Sequence, residues 1–151
     1  MTTERFLIEL RNGISRIGGV SLSVNGKQAC PSFEITSLIG DAAFVKGYYC
    51  ESGDSFIQIA SSGREEYTGN ERSAQKFLEL INQVVEVLSS QGCLEKRWTN
   101  SSGEVRRSVI DLSLPETTYR LGKAPHFWQV GLKLSIQRFP PLLAGGAQIG
   151  R

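Results

Sequence analysis

The sequence predicts an α+β domain: an antiparallel or mixed sheet packed on a central amphipathic helix, with an N-terminal helix before it and an extended C-terminal arm after it. Three observations predict this. In residues 70–91, Ala74, Phe77, Leu78, Ile81, Val84, Val85 and Leu88 recur at three- and four-residue steps and form one apolar stripe. The segments on both sides of it alternate between apolar and polar, as half-buried strands do. The order is helix, several strands, helix, long hairpin, long strand, which groups the helices on a sheet face. The 151 residues suffice for one domain over 1–139 and an arm over 140–151.

Residues 3–17 form the first predicted helix. Phe6, Leu7, Leu10, Ile14 and Ile17 share a face, Thr2 or Thr3 caps the start, and Gly18-Gly19 ends it. Gly13 weakens its middle. Val20, Leu22 and Val24 then alternate with Ser21 and Ser23 up to Asn25-Gly26, a pair suited to the positive φ angles of a tight hairpin. Pro31 interrupts the return strand and places it at a sheet edge. A strand is predicted over 32–39, then a turn at Gly40-Asp41. A hairpin follows over 42–50 and 55–61. Residues 61–69 are polar with two glycines and read as a loop. Asn70 caps the central helix and Gly92 suits the left-handed position after it.

Residues 93–99 and 104–114 then flank the four-residue turn Asn100-Ser101-Ser102-Gly103, a second hairpin. Pro115 ends it, and Pro125 breaks the next stretch. In 128–137, Trp128, Val130, Leu132, Leu134 and Ile136 alternate with polar or small residues. This strongest period-two pattern is expected to face the central helix from inside the sheet. The Pro140-Pro141 and Gly145-Gly146 pairs exclude a helix or central strand from the arm. Its Phe139, Leu142, Leu143 and Ile149 are too apolar to stay in water, so the arm packs on its own domain or on a neighbour.

Hydrophobic content of 40% and charged content of 21% are those of a globular chain. No apolar run has the length of a membrane span, and no signal-peptide pattern opens the chain. Cys30, Cys50 and Cys93 are odd in number and widely spaced. They read as three thiols in a reducing compartment, without disulfide framework or zinc site, so a cytoplasmic, non-secreted protein is expected. The net charge of +2 is unevenly spread: residues 1–92 carry 8 Lys and Arg against 11 Asp and Glu, and residues 93–151 carry 9 against 4. The bland account of the basic half is a solvated face. The functional account is a surface that meets an acidic partner, such as the first half of a second copy.

Chemistry-bearing patterns are few. His126 has no Cys, Asp or Glu beside it and reads as a strand-end histidine making one hydrogen bond. Glu65-Glu66 and Asp54 read as solvated turns. The glycine clusters lack the spacing and lysine of a phosphate loop. No catalytic, metal or cofactor residue is assigned. Lys96, Arg97, Arg106 and Arg107 lie on the two strands of one hairpin around Trp98. They could follow a phosphate backbone, but strand alternation sends about half of them to each face. A ribbon pairing with an acidic neighbour fits better than a nucleic-acid binder.

In element order over residues 3–139, the chain resembles the ring-forming proteins of phage necks and tails, above all the tail terminators. The resemblance carries no motif and transfers no functional residue. It implies a hexameric virion ring on the tail tube, without cofactor or catalysis, formed in the host cytoplasm. Lys96, Arg97, Arg106 and Arg107, with Phe139, Leu142, Leu143 and Ile149 of the arm, would then be subunit or partner contacts. Two other classes stay open. A binding module or chaperone would leave a sheet face uncovered for a peptide or helix. An enzyme with a dispersed site would show a deep pocket of converging titratable groups.

Overall fold

The computed structural model describes residues 1–26, 29–38 and 44–142. The fold is α+β, with two helices and nine strands in two antiparallel sheets among these residues. Helix α1 (Thr3–Ser15) is capped by the Thr2 hydroxyl, which accepts from the Arg5 amide, and it buries Phe6, Leu10 and Ile14. Helix α2 (Glu71–Gln91) opens with a reciprocal capping box between Asn70 and Ser73. It buries the whole predicted stripe. Gly92 follows at φ 67°, and a Cβ there would lie 2.3 Å from the Phe139 carbonyl oxygen, so both conformation and space require glycine.

The first sheet is a meander of β1 (Val20–Asn25), β2 (Ser32–Ser37), β3 (Val45–Tyr48), β4 (Asp54–Ile59) and β5 (Ser62–Tyr67). The second has the order β8-β7-β6-β9, from β6 (Cys93–Thr99), β7 (Val105–Ser113), β8 (Thr118–Lys123) and β9 (Lys133–Phe139). The sheets meet where β5 lies against β8 and β7, and α2 lies against β5 and β7. The core therefore joins Phe77, Ile81 and Val85 of α2 to Val45, Ile57 and Ile59 of one sheet and Ile110, Leu112 and Leu121 of the other.

Several sequence expectations need correction. Residues 61–69 are not a loop: β5 pairs with β4 from Ile59↔Ser62 to Asp54↔Tyr67 across a tight turn at Ala60-Ser61. Its polar side chains suit a strand whose backbone, rather than an apolar face, holds it in place. Strand β8 was hidden between two prolines, yet it buries Tyr119 and Leu121. Asn25 pairs with Ser32, so Asn25-Gly26 is not the centre of a two-residue turn. The Gly40-Asp41 turn lies outside the described residues.

The strand predicted over 128–137 differs most. Gly131 takes φ 77° and breaks the extended path, so β9 starts only at Lys133. It sits at the sheet edge rather than inside, and Val130 and Leu134 do not face α2. The three-thiol reading fails as well: Cys30 and Cys50 form a disulfide, with Cα atoms 4.5 Å apart. The cysteine argument for a reducing compartment falls with it, because such bonds persist in oxidising surroundings. Cys93 is the free thiol, and burial, helped by Glu95, pushes its pKa up to about 11.

Beyond β9 the chain stays on its own domain as far as it is described. Leu142 is 1% exposed within the core. Its N–H donates to the Leu88 carbonyl (2.8 Å) and its carbonyl accepts from the Ser37 hydroxyl (2.7 Å). Among the described residues no helix is long and apolar enough to cross a membrane.

Candidate interaction surface

The register of the four-stranded sheet sorts its side chains into two faces. Cross-strand partners point the same way. One face carries Glu95, Ile110 and Leu121 and closes the core. The other carries the rows Arg107–Trp98–Leu134 and Val109–Lys96–Ile136 and the pair Leu94–Arg138, with Val109 itself buried. Among the described residues no helix covers this outer face. At its far edge, β9 pairs with β6, and among the described residues its other edge is free.

Residues 124–132 link β8 to β9 past this face. Gln129 pins them, its Oε1 accepting from Arg107 Nε (3.2 Å) and from the His126 N–H (2.8 Å). Trp128 stacks on His126 at 4.3 Å, and Phe127 stands edge-on to Trp128. The resulting surface is apolar: Phe127 is 93% exposed, Val130 85%, Trp128 62%, Ile136 59% and Leu134 49%. Exposure on this scale, clustered at one edge, is uncommon in a chain that works alone.

The four cations of the hairpin are divided between its faces. Lys96 and Arg107 share the outer face with Trp98. Arg97 points inward and pairs closely with the buried Glu95. Between Trp98 and Thr99 the register shifts, leaving Arg106 without a partner opposite it, as in a β-bulge. Arg106 lies 3.7 Å from Glu104. On β8, Arg120 donates two hydrogen bonds to Asp111 (2.7 and 2.8 Å). These bonds first, and then the charges of Arg120 and Lys96, hold the Asp111 carboxyl below the usual carboxylate range against the opposing effect of burial. Of the arm residues expected at an interface, Phe139 is half-buried against its own core and Leu142 is within it. Leu143 and Ile149 lie outside the described residues.

The seam between the sheets is polar. The Glu95 carboxylate accepts from the Ser61 N–H (2.9 Å) and the Ser62 hydroxyl (2.7 Å), so it receives the tip of the β4–β5 hairpin. The Ser62 and Ser108 hydroxyls are 3.0 Å apart. Further along, Tyr119 donates to Glu66 (2.7 Å), and Arg64 lies over the Tyr119 ring. Burial first, then the bond to Glu66, raises the Tyr119 pKa. Glu66 is thus a structural partner rather than half of a free acid pair. His126 is a loop residue stacked on Trp128.

Open grooves mark the surface of the described residues. One of about 500 Å³ crosses the five-stranded sheet beside Tyr48 and Phe56. Two of about 530 and 550 Å³ adjoin at the seam. Among the described residues no group of three or more His, Cys, Asp or Glu is placed to hold a metal ion.

Sequence reasoning missed the surface as a unit. Its signal lies in the consecutive aromatic residues His126-Phe127-Trp128 and in the β9 alternation, whose apolar residues point outward. No known protein family, curated protein or solved structure matches the chain.

Proposed function

We propose that the chain is a non-enzymatic assembly protein that binds copies of itself through the outer face and free edge of the four-stranded sheet. One observation carries this: five large apolar side chains of residues 127–136 are exposed together beside a strand edge that is unpaired among the described residues. The partner is a second copy because the two halves of the chain are oppositely charged. The acidic half holds both helices and the five-stranded sheet, and the basic half holds the patch. Unlike surfaces joining head to tail close into rings when the rotation allows it. A ring component of the phage tail-terminator or neck kind, hexameric and working in the host cytoplasm and virion, is the assembly this reading favours. Leu134, Ile136 and Val130 surround the rings of Phe127 and Trp128 with aliphatic surface on which bases do not stack, and this mixture favours a protein partner over nucleic acid.

Light scattering coupled to size exclusion tests the reading. The wild type should elute as a closed oligomer. Trp128→Asp with Ile136→Asp should give a monomer that melts like the parent. Association should weaken with salt, since exposed charges are screened over about 8–10 Å at ordinary ionic strength. Arg106→Glu with Arg107→Glu should weaken it too. A wild type that stays monomeric at every concentration, or patch variants that assemble in full, would sink the proposal.

A further inference from the structure

We propose that the groove along the sheet seam binds a small anion carrying two or more phosphoryl groups. This site adjoins the self-association face and shares Arg106 and Arg107 with it, but anion binding does not require self-association, and Lys123 belongs to the groove alone. The groove of about 530 Å³ falls within the range of ligand sites, roughly 300–1,000 Å³. Its walls bring together Arg106, Arg107 and Lys123, the serines Ser61 and Ser108, and Gln58, with no carboxylate among the lining residues. Three cations and three neutral donors suit a tetrahedral anion that accepts many hydrogen bonds.

The seam groove has two ends of different electrostatic character. At the end of about 550 Å³, Arg64 is engaged by Glu66 at 3.0 Å, Arg120 by Asp111, and Glu65 lines the wall. Positive charge there is largely answered. At the other end Lys123 forms no salt bridge among the described residues, and Arg106 has only the long contact to Glu104. Arg107 holds a neutral amide, Gln129. The unanswered charge is therefore concentrated beside Ser61 and Ser108.

This end is also built firmly. Glu95 fixes the Ser61 backbone from below, and the Ser62 hydroxyl fixes the spacing to Ser108. Gly122, at φ 79°, lets β8 close on β5: a Cβ there would lie 2.0 Å from the Ser108 carbonyl oxygen and 3.3 Å from Ser62 Cβ. The groove floor is thus preorganised, while Arg106 and Lys123 stand at the exposed rim, where a charged ligand loses least hydration.

Titration with tripolyphosphate, followed by calorimetry and by backbone amide NMR, tests the site. Binding should shift the amides of Ser61, Ser108 and Lys123. Lys123→Gln and Arg106→Gln should each weaken affinity at least about tenfold, the scale of one charge-assisted hydrogen bond. Both side chains are exposed, so these variants should melt like the parent, and Arg106→Lys should keep most of the affinity. Lys96→Gln removes an equal charge from outside the groove and should change nothing. A nucleoside triphosphate should bind with the same residues affected, whereas citrate should bind much less well. No shift at millimolar tripolyphosphate would overturn the proposal. So would equal weakening by Lys96→Gln, which marks diffuse attraction, and so would citrate binding as tightly.

Discussion

The two sheets use the same strand chemistry to opposite ends. In the five-stranded sheet, β4 alternates cleanly and turns Ile57 and Ile59 into the core. In the four-stranded sheet, β9 alternates at least as well, yet both of its faces are open except at Phe139. Alternation reports that a strand has two unlike faces. It does not report that something covers the apolar one. Coverage depends on the helices, and α1 and α2 lie chiefly against β1, β5 and β7.

The largest expected effect sharpens this contrast with two chemically identical changes. Ile81→Ala removes a fully buried side chain and should cost about 2–5 kcal/mol in chemical denaturation. Ile136→Ala on β9 should stay within about 0.5 kcal/mol in the monomer. Equal losses would mean that β9 belongs to the core after all.

A smaller effect is expected at the joint between the sheets. Glu95→Ala leaves the Ser61 N–H and the Arg97 guanidinium without their shared acceptor and should cost about 3 kcal/mol. Urea unfolding that stays two-state with the usual slope would show the sheets still fold as one unit. A cost well under 1 kcal/mol would show that apolar packing alone joins them.

The smallest effect lies on the outer face. The folded Asp111 carboxyl titrates below its unfolded value, so its contribution to stability is present above the unfolded pKa, near 3.9. That contribution is lost as pH falls through the lower, folded value. Arg120→Ala should move the Asp111 titration upward in a carboxyl NMR experiment and flatten the acid limb of stability. The change in stability should be slight, because both groups face water. An unmoved Asp111 would mean that Arg120 does not hold it.

Legibility in the sequence followed the same division. Both helices, their caps and the hairpins over β3–β4 and β6–β7 could be read, because local chemistry and periodicity agree there. Strand β5 could not, since Arg64, Glu65 and Glu66 carry no apolar period and pairing with β4 overrides their preference. The pairing of Cys30 with Cys50 depends on bringing together residues 20 apart in sequence, which spacing does not reveal. The basic hairpin was legible as composition, but not the bulge at Arg106 or the inward ion pair of Arg97, which decide which cations are free. The apolar surface was legible as residues and misread in direction.

The return of the chain to the end of α2 has a consequence for local opening. The Leu88 carbonyl accepts from both the Gly92 amide (3.2 Å) and the Leu142 amide (2.8 Å). One acceptor thus closes the last turn of the helix and moors the segment after β9. If that segment lifts away, the helix end loses a donor and Ser37 loses the carbonyl of Leu142. The helix terminus, the β9 exit and the end of β2 are therefore expected to fluctuate as one cooperative unit, a foldon stitched from three distant parts of the chain. Any partner that pulls on the C-terminal segment would be felt first at the far end of the central helix.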